Sequence, residues 1–193
     1  MKKFELTNEF ITNMFGTKLF RIRALVEFGD VEAGELGGYV EKESNLGHDD
    51  NAWVYDNAWV YDNAWVYGNA QVSGNARVYG DARVCGNALV YDNAWVYGNA
   101  RVYGNAQVSG DARVCGDARV CGNGDYAYAH GFGSVNRTTT FFRLKDGGVG
   151  VRCGCFYGTL AQFRDKIRET HGETKKAQEY LMLADLMKLR FEK

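Results

Sequence analysis

Few side chains in this sequence could do covalent or metal chemistry, and they are scattered. There are three histidines: His48 beside Asp49 and Asp50, His130 in Ala129-His130-Gly131-Phe132, and His171 before Gly172. A histidine beside carboxylates has the residue types of a general base or a metal ligand, because a neighbouring acid orients the imidazole and raises its basicity. His48 is the best placed of the three, but a solvated loop histidine is the simpler expectation. His130 and His171 read as capping positions, the latter at a helix end where partial positive charge is favoured. Cys153-Gly154-Cys155 brings two thiols close. A tetrahedral zinc site needs four ligands and a redox pair is spaced Cys-x-x-Cys, so buried packing with both thiols on one strand face is expected. No Gly-Lys-Ser/Thr follows any glycine, which removes a phosphate loop. The expectation is no catalytic residue, no metal and no cofactor.

The chemistry that does recur is that of contact: arginine, tryptophan and tyrosine at fixed intervals. Valine occurs every sixth residue from Val54 to Val120, twelve times, with an alanine two residues before each, from Ala52 to Ala118. Residues two apart on a strand share a face, so each Ala-x-Val is a short strand with a small apolar inner side. Asp-Asn, Gly-Asn or Gly-Asp separates the triplets, residue types that accept left-handed backbone at a corner. A period of six fits no 3.6-residue helix. Three sides closing a triangle take about 18 residues per coil, and with strands ~4.8 Å apart the regular part is a prism roughly 20 Å tall.

Val-x-Gly-Asn-Ala-x over residues 51–123 resembles the repeat of the bacterial hexapeptide-repeat superfamily. That resemblance implies a left-handed parallel β-helix, usually trimeric and often an acyltransferase. Acyltransferases of this fold use a histidine base and projecting loops, and their carbonic anhydrase relatives hold zinc through three histidines. The twelve hexads here contain no histidine and no insertion. The flanks, Arg21-Ile22-Arg23-Ala24-Leu25 through Gly37-Gly38-Tyr39-Val40-Glu41 and Cys153 to Leu160, are similar to those of uncharacterised proteins from bacteriophages and gut bacteria.

Stacking residues 18 apart sorts the outer positions into three faces. The first carries Trp53, Gln71, Leu89 and Gln107 beside Tyr55, Ser73, Tyr91 and Ser109, and holds no charge. It is the expected oligomer interface, through Trp53, Tyr55, Leu89 and Tyr91. The second alternates Trp59, Arg77, Trp95 and Arg113 beside Tyr61, Tyr79, Tyr97 and Cys115, a pattern suited to cation–π contacts. The third has Trp65 followed by Arg83, Arg101 and Arg119, beside Tyr67, Cys85, Tyr103 and Cys121. Like charges ~5 Å apart repel, so this column calls for an anion, an acidic partner or aromatic neighbours. Four tryptophans and seven tyrosines facing outward exceed what a solvated surface needs, so the second or third face is expected to meet a partner. Cys85 and Cys121 lie two coils apart, near 10 Å, too far for a disulfide.

Both ends of such a coil expose apolar core and unpaired edges, so flanking segments must cover them. Residues 1–45 are expected to form an N-terminal β cap, 46–132 the β-helix of about four to five coils, and 133–193 a C-terminal cap. In the first, Phe4 to Leu6 and Lys18 to Phe28 read as strands. In the last, Thr138 to Leu144 and Val149 to Cys155 read as a hairpin around Asp146-Gly147-Gly148. A helix then starts near Thr159, with Gln162 completing a capping box, and stops by Gly172. A second runs from about Lys175 to Phe191. The fold class is mainly β.

The net charge of −1, from 23 basic and 24 acidic residues, draws the chain to neither nucleic acid nor membrane, although a local patch would still admit nucleic acid. No apolar run spans a bilayer and Met1-Lys2-Lys3-Phe4-Glu5 leads into no signal segment, so a cytoplasmic protein of a bacterial host cell is expected. Five cysteines at irregular spacing form no secreted disulfide framework. Three functions compete. The first is a non-enzymatic binding or assembly scaffold, homo-oligomeric with a protein or small anionic partner, including a phage inhibitor of a bacterial defence system. The others are a hexapeptide-repeat acyltransferase using His48 or His130, and a polymer-forming structural protein.

Overall fold

A computed structural model describes residues 1–133, 135 and 137–192. Three longer strands come first, β1 (Phe4–Thr12), β2 (Lys18–Ala24) and β3 (Leu36–Val40). Twelve two-residue strands follow, β4 to β15, one per hexad from Trp53–Val54 to Arg119–Val120. Residues 18 apart pair in parallel, Leu89 with both Gln71 and Gln107, and Arg101 with both Arg83 and Arg119. The three columns form separate sheets of a parallel β-solenoid with four complete coils. A partial coil lies above them, where Val40 pairs with Val60 and Leu46 bridges Val66. Every alanine and valine of the inner face is essentially sealed from water. Trp53 N donates to Ala70 O at 3.1 Å and Tyr55 N to Val72 O at 2.8 Å, a ladder that each coil repeats onto the next.

The corners explain the Asp/Gly-Asn pairs. Asp56, Asp62 and Asp92 adopt left-handed backbone, with φ between 53° and 59°, where most other corners have glycine. Each carboxylate accepts the amide of the residue 18 on, Gly74, Gly80 or Gly110, at 3.0–3.1 Å, which offsets the strain. The following asparagines form ladders: Asn69 Nδ2 donates to Asn87 Oδ1 and Asn87 Nδ2 to Asn105 Oδ1.

At the top, β1 pairs with β2, β2 with β3, and β3 continues the Trp59 column of the solenoid, making one seven-stranded sheet. β1 is longer than the expected Phe4–Leu6, and β2 stops at Ala24. Phe4, Ile22 and Phe28 fold over the open end. Gly37 must be glycine, since a Cβ there would stand 2.5 Å from Val54 O and 2.8 Å from Trp53 Cζ2. Lys3 Nζ donates to Asp50 O and Ala52 O, tying the chain start to the first coil.

At the bottom, β16 (Tyr126–Phe132), β17 (Arg137–Arg143), β18 (Val149–Cys153) and β19 (Phe156–Thr159) form an antiparallel sheet. The regular coils therefore end at Val120, and the segment from Tyr126 to Phe132, expected within the β-helix, belongs to the closing sheet. Ser134, Asn136 and Lys193 of the expected 133–193 unit lie outside the described residues. Alternation along β17 gives the sheet its two jobs. Phe142 plugs the solenoid core, while Phe141 faces α1 (Leu160–His171) and α2 (Lys175–Phe191), where Phe163, Ile167, Tyr180, Ala184 and Met187 pack. The capping box at α1 is as expected: Gln162 N donates to Thr159 Oγ1 and Thr159 N to Gln162 Oε1. Among the described residues, no helix is long and apolar enough to cross a membrane.

Candidate functional site

The outer faces differ in how completely the chain satisfies them itself. On the first, the expected interface row is broken at its top. Trp53 is fully buried, with Phe4 and Phe28 edge-on to its indole at 6.2 and 5.3 Å. The outward position that periodicity assigns to Trp53 is thus corrected: the N-terminal cap folds over it. Tyr55 is half-buried against the same core. Leu89 and Tyr91 remain half-exposed in the middle of the face.

The second face is closed on itself. The Arg77 guanidinium lies 4.2 Å from the Trp59 ring centroid and 5.1 Å from that of Trp95, and Arg113 lies 4.7 Å from Trp95. Beside this column Tyr61 and Tyr79 stack at 5.0 Å with planes 4° apart, and Tyr79 and Tyr97 at 4.9 Å with planes 2° apart. Leu19 and Tyr39 cover the upper end of the tyrosine ladder, leaving Tyr61 only 7% exposed. Arg152 from β18 approaches its lower end, 6.0 Å from Tyr97. Burial pushes the Tyr61 hydroxyl up to about 12, with Tyr79 and Asp62 adding to the shift and Arg77 opposing it. Tyr79 and Tyr97 are raised by the same desolvation. Seven outward tyrosines and four tryptophans do not, then, make an open aromatic surface.

The third face is open. Arg83 and Arg101 are exposed, and among the described residues neither donates a hydrogen bond, joins an ion pair nor lies over a ring. Arg119 donates to the backbone oxygens of Asn99 and Ala118, which holds its guanidinium in place. Trp65 stacks on Tyr67 at 4.0 Å and keeps 40% of its surface exposed. The Tyr67 hydroxyl is raised, first by its hydrogen bond with Cys85 and then by burial, while Arg83 and Arg101 pull it back. Clefts open at both ends of this column. The upper, about 260 Å³, holds Trp65 and Arg83 with Lys42, Ser44, Asn45 and Asn63.

The lower cleft, about 580 Å³, joins Tyr103 and Arg119 to Asp125, Arg143, Lys145 and Phe191. Asp125 partly compensates Arg143 at 3.9 Å. Lys42, Arg143 and Lys145 escape a reading by repeat, since they come from the caps. The only local signal for the last two was their place beside the Asp146-Gly147-Gly148 turn.

The candidate chemical residues are dispersed. His48 is no simple loop side chain: its ring stacks on Phe4 at 4.5 Å and Nδ1 accepts the Lys3 amide, so burial lowers its affinity for a proton. His130 Nδ1 meets Thr138 Oγ1 at 2.9 Å on the closing sheet, and His171 stacks on Tyr180. Cys153 is buried and accepts from Thr139 Oγ1, but Cys155 is exposed, because β18 ends at Cys153 and Gly154 turns the chain with φ of 58°. The expectation of two thiols on one buried face is corrected accordingly. Among the described residues, no group of three or more histidine, cysteine or acidic side chains is placed to hold a metal ion.

A family model described as the YdcK beta solenoid repeat matches residues 70–86, 82–98, 94–110 and 106–122. The chain carries a beta-solenoid repeat. Successive matches advance by two hexads and stay within the regular coils, so they take in Arg83, Tyr103 and Arg119 but neither cap, and not Lys42, Arg143 or Lys145, which complete the clefts. No curated protein matches the chain. A β-solenoid of this kind fits a structural or binding role.

Proposed function

We propose that this protein is a non-enzymatic binding scaffold whose third face docks an anionic partner. The observation that carries this reading is the contrast between neighbouring columns. Arg77 and Arg113 lie against indoles, whereas Arg83 and Arg101 stand one coil apart with no hydrogen bond, ion pair or ring contact among the described residues. Like charges held at strand spacing are costly unless an anion relieves them, so a partner carrying negative charge gains from both. The narrower form of the proposal is a phage-associated inhibitor of a bacterial defence system, occluding a protein or sequestering an anionic signal molecule. Leu89 and Tyr91 on the uncharged first face would serve self-association into a trimer.

The test is capture from infected bacterial lysate by the wild-type protein and by R83E/R101E/R119E, with mass spectrometry of proteins and small molecules. The expected result is a partner retained by the wild type and lost by a variant whose circular dichroism is unchanged. Equal recovery by both would sink the third-face reading.

A further inference from the structure

The third face has a shape as well as a sign. It is a strip two residues wide, roughly 7 Å at strand rise, with Arg83, Arg101 and Arg119 along it at ~4.8 Å intervals. At its head stands a partly exposed indole, Trp65, and at its foot the cleft of Tyr103 and Phe191 with Arg143 and Lys145. One border is the neutral ladder Asn69, Asn87 and Asn105. The other carries carboxylates at Asp62, Asp81 and Asp117, each held by a hydrogen bond to a neighbouring coil.

A row of cations with flat rings at its head and foot suits a short strand of unpaired nucleotides. Arginines meet the phosphodiesters, and rings stack the bases without reading their identity. An acidic peptide would use the arginines but leave Trp65 and Tyr103 idle. A duplex, whose major groove alone is ~12 Å wide, would bring its second strand over the carboxylate border. From these features we infer that the third face binds a short oligonucleotide with unpaired bases. This rests on the anionic-partner reading above and narrows it to phosphodiesters carrying stackable bases, whether from a linear single strand or a cyclic oligonucleotide.

The experiment is fluorescence anisotropy at low salt with labelled linear oligo-dT, oligo-rU, a DNA duplex of equal length, a cyclic dinucleotide and polyglutamate. At least one unpaired-base ligand should bind at least tenfold more tightly than the duplex and polyglutamate, and the linear and cyclic arms tell the two sources apart. For a linear strand, three phosphate contacts give a slope of log K against log salt of about −2. R83E/R101E should abolish binding. Trp65→Ala should weaken it roughly tenfold through loss of a stacked base. K175E/K176E on α2, with the same charge change on exposed residues remote in sequence, should leave it intact. If polyglutamate binds and depends on Arg83 and Arg101 while no oligonucleotide does, the inference falls and the anionic-partner reading stands. If no polyanion binds the folded protein, both fall.

Discussion

The guanidinium of Arg77 sits 4.2 Å from the Trp59 ring centroid, with a second indole, Trp95, on its other side. Two such contacts at ~0.5–1 kcal/mol each make Arg77 a structural residue. Arg77→Ala should lower stability by about 1–2 kcal/mol, whereas Arg83→Ala should change it by less than about 0.5 kcal/mol. Urea unfolding of the two variants decides it, and equal losses would contradict the division of labour between the two faces.

The tyrosine ladder predicts an alkaline limit. Tyrosine in the unfolded chain ionises near pH 10, but Tyr61 is held up to about 12 and Tyr79 and Tyr97 are raised with it. Below pH 10 both states keep their protons and the ladder contributes in full. Above it the unfolded chain gives up protons first, so stability falls as pH rises toward the folded values. Thermal midpoints should drop between pH 10 and 12, and Tyr61→Phe should flatten that drop while changing little at neutral pH. A midpoint indifferent to pH in this window would refute it.

Trp53 closes the upper end of the core, yet its Nε1 lacks a hydrogen-bond partner among the described residues. Trp53→Ala should cost about 3–5 kcal/mol by leaving a cavity under the cap. Trp53→Phe should cost far less, because it also removes a buried, unsatisfied donor. Denaturation of both variants reads the difference, and similar losses would mean the indole nitrogen is solvated.

Gly104 has φ of 65°, and a Cβ on it would approach Cys121 O to 2.5 Å. Gly104→Ala should destabilise the lower coils by more than 1 kcal/mol, combining left-handed strain with a backbone clash. Asp92, in the same conformation but bonded to the Gly110 amide, should tolerate replacement by glycine with a smaller loss. Hydrogen exchange of the amides from 101 to 121 would localise the effect, and protection unchanged in Gly104→Ala would overturn it.

Deleting residues 1–45 removes Phe4 and Ile22 from the solenoid end and uncovers Trp53, Val54 and the unpaired edge of the Trp59 column. The truncated chain should associate through that edge, visible as growth in light scattering or as filaments by electron microscopy. A monodisperse truncated protein would show that the cap is dispensable for blocking polymerisation.

Much of the architecture was legible because it is repetitive. Ala-x-Val at a period of six dictates an inner face, a corner and a coil length, and each hexad's hydrogen bonds go to its own image 18 residues away. The helix caps at Thr159 and Gly172 were equally local, set by neighbouring residues alone. Which outer face is free was a different kind of question. Trp53 and Trp65 occupy equivalent positions in the repeat, yet one is sealed and the other exposed, because Phe4 and Phe28 reach back across the chain to cover only the first.

Arg77 and Arg83 likewise occupy the same slot in their hexads. The identity of the residues one coil above and below, two indoles for Arg77 but one indole and one arginine for Arg83, was readable once the coils were aligned. That the indoles take up Arg77 while Trp65 turns onto Tyr67 instead of Arg83 was decided by side-chain packing. So was the arrival of Arg143 and Lys145 beside Arg119. The sequence by itself determined the solenoid and its column chemistry, since both follow from local periodicity. Tertiary structure decided which column stays open, since that depends on caps distant in sequence and on how side chains share limited space.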